Sequence, residues 1–163
     1  MAHIHAFIGL GSNLDDPAAQ VLRAFGELSC TEGIVLLTRS SLYRSAPVGY
    51  PAQPDFVNAV ARVATTLPPR RLLAALHGIE AAHGRRRDFR NGPRSLDLDI
   101  LLYGSETMNA PDLVLPHPAA HMRAFVLEPL MEIAPDCRIP GRGTARKCLS
   151  ALAERCLGVL ETA

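Results

Sequence analysis

Leu96-Asp97-Leu98-Asp99-Ile100-Leu101-Leu102-Tyr103 reads as a strand more clearly than any other stretch of this 163-residue chain. Side chains along a strand alternate between its faces, so Asp97 and Asp99 point one way and Leu96, Leu98 and Ile100 the other. Upstream of it, Gly84 closes a helix that Pro68-Pro69 opens, in which Leu72, Leu73, Leu76, Ile79 and Glu80 follow helical spacing. Phe56–Thr65 is a strand before that helix. It is preceded by a loop over 46–54 that holds Pro47, Gly49, Pro51 and Pro54. Val35–Tyr43, rich in β-branched and hydroxyl residues, is a further strand. Asp15-Asp16-Pro17 starts a helix that runs to about Leu28, with Val21, Leu22, Phe25 and Leu28 as its apolar stripe, and Ala6–Gly9 is the first strand. The order β-α-β-β-α-β predicts an α+β fold of the ferredoxin-like sandwich type. Downstream, additional C-terminal helices are predicted near Ala124–Ile133 and Ala145–Leu157. No repeat or linker interrupts the chain, so residues 1–163 are expected to form a single domain.

Seventeen Lys+Arg against sixteen Asp+Glu leave a formal charge of +1, which argues against a nucleic-acid binder held by a basic surface. The same sandwich underlies RNA-recognition modules, but those need an aromatic run on the sheet. Five Phe, three Tyr and no Trp supply none here. The 48% hydrophobic and 20% charged residues exclude a disordered chain. Cys30, Cys137, Cys148 and Cys156 form no CxxC pair and no zinc-site spacing, as in a reduced cytoplasmic protein. No apolar run is long enough for a membrane span, and the first residues lack the basic region of a signal peptide.

Two like charges side by side on one strand face repel. Asp97 and Asp99 are therefore either the solvated face of a half-exposed strand or oxygen ligands for a cation such as Mg²⁺, which takes one or two carboxylates plus substrate phosphates. Arg85, Arg86, Arg87, Arg90 and Arg94 crowd the segment before them. Such donors suit a polyphosphate; the alternative is a solvated charge run in a chain with one Lys. The segment Gly84–Arg94, poor in apolar anchors, is expected to be poorly ordered without ligands. His117 between prolines, followed by Arg123, is a second phosphate-binding candidate. Phe56 and Asn58 share a strand face and suit a flat heterocycle, unless Asn58 only serves a neighbouring strand or loop. Gly9-Leu10-Gly11-Ser12-Asn13 lacks the third glycine of a dinucleotide fingerprint, so its glycines are expected to permit a tight strand-to-helix turn.

Taken in order, Ile8-Gly9-Leu10-Gly11-Ser12-Asn13-Leu14, Tyr43-Arg44-Ser45-Ala46-Pro47-Val48-Gly49, Gln53-Pro54-Asp55-Phe56-Val57-Asn58-Ala59, Gly92-Pro93-Arg94-Ser95-Leu96-Asp97-Leu98-Asp99-Ile100, and Pro116-His117 with Arg123-Ala124-Phe125 resemble the 6-hydroxymethyl-7,8-dihydropterin pyrophosphokinase family over about residues 6–157. The resemblance implies transfer of the terminal diphosphate of ATP to the pterin's hydroxymethyl oxygen, with release of AMP, in folate biosynthesis. It implies two Mg²⁺ ions held by Asp97 and Asp99, which with Arg85, Arg87 and Arg94 form the catalytic set. The pterin would lie between Phe56 and Phe125, its edge bonded by Asn58 and by the chain at Ser45, Ala46 and Val48. ATP would be bound by Glu80, Arg94, Ile100, His117 and Arg123. The expected partners are ATP and the pterin, with no nucleic acid or membrane, and the chain is expected to be a cytoplasmic monomer. It departs from the family at Phe56, where several relatives carry Tyr, and at Asn91, where some carry Trp. The Arg-rich loop is also one residue shorter than in some members.

Overall fold

A computed structural model describes residues 3–47, 52–84 and 95–160. Strand β1 (Ile4–Ser12) leads into helix α1 (Pro17–Ser29), whose N-cap Asp16 accepts a bond from the Ala19 N–H at 3.5 Å. Strands β2 (Ile34–Arg39), β3 (Leu42–Ser45) and β4 (Phe56–Thr65) follow, then helix α2 (Pro69–Ala82) and strand β5 (Asp97–Tyr103). Beyond these lie the hairpin of β6 (Met108–Ala110) and β7 (Leu113–Leu115), a single 3₁₀ turn at Ala120–Met122, and helix α3 (Ala124–Ile133). A short ribbon of β8 (Arg138–Ile139) and β9 (Gly143–Thr144), helix α4 (Ala145–Ser150) and strand β10 (Gly158–Leu160) complete the described chain.

The main sheet is antiparallel, in the order β10-β3-β4-β1-β5, with β2 also on β4. The architecture is α+β with four helices. One face of the sheet buries Ala6, Ile8, Leu10, Leu98 and Ile100 against Val21, Phe25 and Leu28 of α1 and Leu72, Leu76 and Ile79 of α2. At the end of α2 the buried His83 ring is held between Gln20 and Glu27 of α1, which ties the two helices together. The other face buries Phe7, Val60, Leu101 and Leu102 against Leu127 and Leu130 of α3. Leu101 and Leu102 share that core because the β1–β5 register shifts between Phe7 and Ile8. Helix α3 covers one end of this face, and the site lies at the other.

Three sequence expectations need correction. The strand expected over Val35–Tyr43 is two strands, because the Ser40 hydroxyl takes the Val60 N–H at 2.9 Å and Ser41 turns its own N–H to Glu132. Leu22 leaves the apolar stripe of α1, 37% exposed, while Ala24 is fully buried. The last helix stops at Ser150. Past it, Glu128 accepts the Cys156 N–H at 2.6 Å and Leu157 N–H bonds Arg44 C=O at 2.7 Å, which leads the chain into β10 alongside β3. Among the described residues no helix is long and apolar enough to cross a membrane.

Candidate functional site

A cavity opens on the α3 face where the helix ends, between β1, β4 and β5 below and the start of α3 above. Strand alternation supplies its floor. Phe56, Asn58 and Val60 of β4, Gly9 and Gly11 of β1, and Asp97, Asp99 and Leu101 of β5 line it, with Ser45 and Ala46 at the end of β3. Arg123 and Phe125 form the roof, and the Arg123 guanidinium carbon lies 5.4 Å from the centre of the Phe125 ring. Ring and guanidinium attract at that separation.

The register explains the grouping. Tyr43 pairs with Asn58, Asn58 with Gly11, and Gly11 with Asp97, so one row crosses four strands. Gly9 pairs with Asp99 in the next row on the same face. Both half-buried carboxylates thus stand beside bare backbone, with space above it for a ligand. The Ser45 hydroxyl donates to Asn58 Oδ1, which turns the amide nitrogen over Gly11. The glycines expected in a strand-to-helix turn lie instead inside β1, and neither has a positive φ. The turn itself is made by Asp15 and Asp16, with φ of 56° and 61°. Just past β1, Asn13 ties the chain to the segment before β4, donating to Gln53 Oε1 at 2.8 Å and Pro54 C=O at 3.1 Å.

His117 stands in the wall of a second, more open cleft of about 450 Å³ beside the β6–β7 hairpin, with His121 and Arg142. Its Nδ1 accepts the Ala119 N–H at 3.1 Å. Burial, reinforced by the Arg123 charge and opposed by Asp97, lowers its pKa from 6.5 to about 4. At neutral pH the ring is therefore uncharged, with its proton on Nε2 as a donor.

Of the residues singled out in the sequence, Asp97, Asp99, Ser45, Ala46, Phe56, Asn58, Arg123 and Phe125 meet in the first cavity. Glu80 and Ile100 lie on the opposite face. Glu80 is 3% exposed and its Oε2 accepts the Leu98 N–H at 2.8 Å, while Ile100 packs in the core under α1 and α2. Val48, Arg85, Arg87 and Arg94 lie outside the described residues. The structure adds Gly9, Leu10, Gly11, Ala59, Val60, Leu101 and Val126 to the lining, which sequence reasoning missed. The signal for the glycines was there in their spacing of two, the period of one strand face.

Two carboxylates two residues apart on one face, open to the cavity, fit a hard divalent cation. Among the described residues no third His, Cys, Asp or Glu joins them as a closed metal site. Mg²⁺ takes one or two carboxylates and completes its shell with water and phosphate oxygens.

Residues 7–135 match the model of the family described as 7,8-dihydro-6-hydroxymethylpterin-pyrophosphokinase. The chain is 48% identical over 137 residues to the 2-amino-4-hydroxy-6-hydroxymethyldihydropteridine pyrophosphokinase of Haemophilus influenzae, covering 84% of this chain and 86% of that one. It is 46% identical over 147 residues to the enzyme of the same name from Methylorubrum extorquens, covering 90% and 92%. Among solved structures it resembles the wild-type Plasmodium falciparum HPPK-DHPS with pteroate, with a TM-score of 0.72 at 14% identity. That likeness speaks to the fold alone and covers 91% of this chain but 42% of the Plasmodium one.

Proposed function

Because this chain belongs to the 7,8-dihydro-6-hydroxymethylpterin-pyrophosphokinase family, we propose that its cavity is where the terminal diphosphate of ATP passes to the hydroxymethyl oxygen of 6-hydroxymethyl-7,8-dihydropterin, a step of folate synthesis. The observation that carries the reading is the meeting, in one cavity, of two aromatic faces, an oriented amide and two adjacent carboxylates. Phe56 and Phe125 offer faces for a flat bicyclic ring. Asn58, held by Ser45, bonds the ring edge, and the chain at Ser45, Ala46 and Val48 completes that edge.

The hydroxyl oxygen attacks the β-phosphorus, the bond from that phosphorus to the α-phosphate oxygen breaks, and AMP leaves with that oxygen while the hydroxyl proton is lost. Asp97 and Asp99 would hold Mg²⁺, two ions on our reading, which when bound neutralises phosphate charge and activates the hydroxyl. Arg123, at the roof of the cavity, and His117, in the wall of the neighbouring cleft with its Nε2–H as a donor, would hold phosphate oxygens. Glu80 and Ile100 would act at the outer edge of β5, the strand that ends the sheet order. Leu98 spends its N–H outward on Glu80 rather than on β1, so by alternation Ile100 also turns its backbone outward, where an adenine edge can pair with it. Arg85, Arg87 and Arg94 would add charge to the triphosphate. With the attacking and leaving oxygens held in this way, alignment and electrostatics would supply the catalysis.

The sheet order, with β1 and β4 central and α1 and α2 on one face, supports reading the scaffold as ferredoxin-like. We read residues 1–163 as one domain that acts as a cytoplasmic monomer, without a nucleic-acid or membrane partner.

The test is to mix the protein with Mg²⁺-ATP and the pterin and to follow products. AMP with pterin diphosphate is expected, and ADP instead would overturn the reading. Asp97→Asn and Asp99→Asn should each slow AMP release by about 10²-fold or more. Their metal-free melting temperatures should hold or rise, because a like-charge pair is relieved. Near-normal turnover in both variants would remove the carboxylates from the mechanism.

A further inference from the structure

Gly9 and Gly11 need no glycine backbone conformation, so their lack of a side chain must serve space. A Cβ built on Gly11 would stand 2.9 Å from Asn58 Nδ2, closer than such contacts allow. The nearest other atom is Val57 C=O at 4.0 Å, so the β1–β4 backbone pairing would not feel it. A Cβ on Gly9 would meet Leu101 Cδ2 at 3.2 Å, the end of a hydrocarbon side chain that can give way. Each glycine is a socket over which a neighbouring strand's side chain lies flat. The amide fills one and Leu101 the other, on the floor of the cavity that Phe56 and Phe125 also line, the slot that the pterin reading assigns to the ring.

We propose that Gly11 is a positioning residue that determines specificity for a planar heterocycle. Its bare Cα lets the Asn58 amide lie across β1 with its N–H groups level with the bound ring. With a side chain at 11, the Ser45 bond and the new methyl group compete for the amide. The amide then turns up into the slot and shuts out the ring it should read. Asp97, the other neighbour of Gly11 in the same row, is not within 4 Å of that methyl, so the phosphate side of the site is untouched. The inference rests on the pterin reading above.

The experiment is a double-mutant cycle on Gly11→Ala and Asn58→Ala. Binding of 6-hydroxymethyl-7,8-dihydropterin is measured with Mg²⁺ and a non-hydrolysable ATP analogue, binding of that analogue is measured by itself, and melting temperature is recorded. Gly11→Ala should weaken pterin binding at least tenfold and change nucleotide affinity less than twofold. Its melting temperature should stay level or rise, since alanine is favoured over glycine within a strand. In the Asn58→Ala background, adding Gly11→Ala should cost less than a further twofold, because the colliding amide is gone. Gly9→Ala should cost less than Gly11→Ala. Wild-type-like pterin binding by Gly11→Ala, or losses that multiply in the double variant, would overturn the inference while leaving the functional reading intact. A lower melting temperature with both affinities reduced would show that Gly11 serves the fold. A wild-type protein that binds no pterin would overturn the functional reading and this inference with it.

Discussion

The Ala119 N–H on Nδ1 and the burial of the ring together make His117 a residue whose protonation the fold decides. Its pKa near 4 lies below the ordinary value of 6.5, so between these pH values the unfolded chain binds a proton that the native chain does not. Stability from this residue is complete above about pH 6.5 and is lost as pH falls toward 4. Urea unfolding at pH 7.5 and pH 4.5 checks this: His117→Gln should lose less stability across the interval than the wild type. An equal loss in both would assign the acid limb to other groups. Residues of this kind were only half legible beforehand. A histidine between prolines signalled a fixed backbone, but the neighbours that set its charge come from the fold. Asp97, Asp99, Phe56 and Asn58 were legible because a strand's period of two places side chains without further information. Gly9 and Gly11 followed the same period and were misread, because glycine after a short apolar run also signals a turn.

Among the elements, α3 is tied to others by side-chain bonds. Its Glu132 carboxylate accepts from the Ser41 N–H at 3.0 and 3.1 Å, the Ser41 hydroxyl at 2.9 Å and the Tyr43 hydroxyl at 2.7 Å, while Glu128 one turn earlier takes the Cys156 N–H. These bonds brace α3 against β3 and β10, and α3 carries Phe125 while β3 ends at Ser45. Glu132→Ala should cost about 1–2 kcal/mol of unfolding free energy, the lower range for charge-assisted bonds because the carboxylate is exposed. Glu132→Gln, which can still accept, should recover part of it. Denaturant titration of the two variants checks the order; equal stability of both with the wild type would remove the brace. The same contacts explain the misread boundaries. Residues 151–157 carry good helix formers, yet the segment turns to pair with β3, because Glu128 and Arg44 bond it from far along the chain. Local spacing holds no trace of such partners. Where burial alone decides, as in α2 and β4, the boundaries fall within a residue of those expected.

Across the molecule, one sheet serves two purposes, and the composition of its faces shows which. The face under α1 and α2 is filled from end to end, with Leu28, Leu72 and Leu76 at 0% exposure. Among the described residues the opposite face is filled where α3 sits, with Leu127 and Leu130 at 0%, and gives way to Gly9, Gly11 and the carboxylates beyond. Stability and binding should therefore separate by face. Leu28→Ala and Leu130→Ala each leave a cavity in a closed core and should each cost about 2–5 kcal/mol. Because both cores share the strands of one sheet, each variant should unfold in a single transition seen alike by different probes. Only Leu130→Ala loosens the seat of the helix that carries Phe125, so it should also weaken pterin binding several-fold at a temperature where both variants are folded. The measurement pairs denaturant unfolding by two probes with pterin titration. Equal pterin affinity in the two variants would mean that α3 holds Phe125 in place without its buried core contacts, and two separate transitions would mean that the faces do not share one cooperative fold.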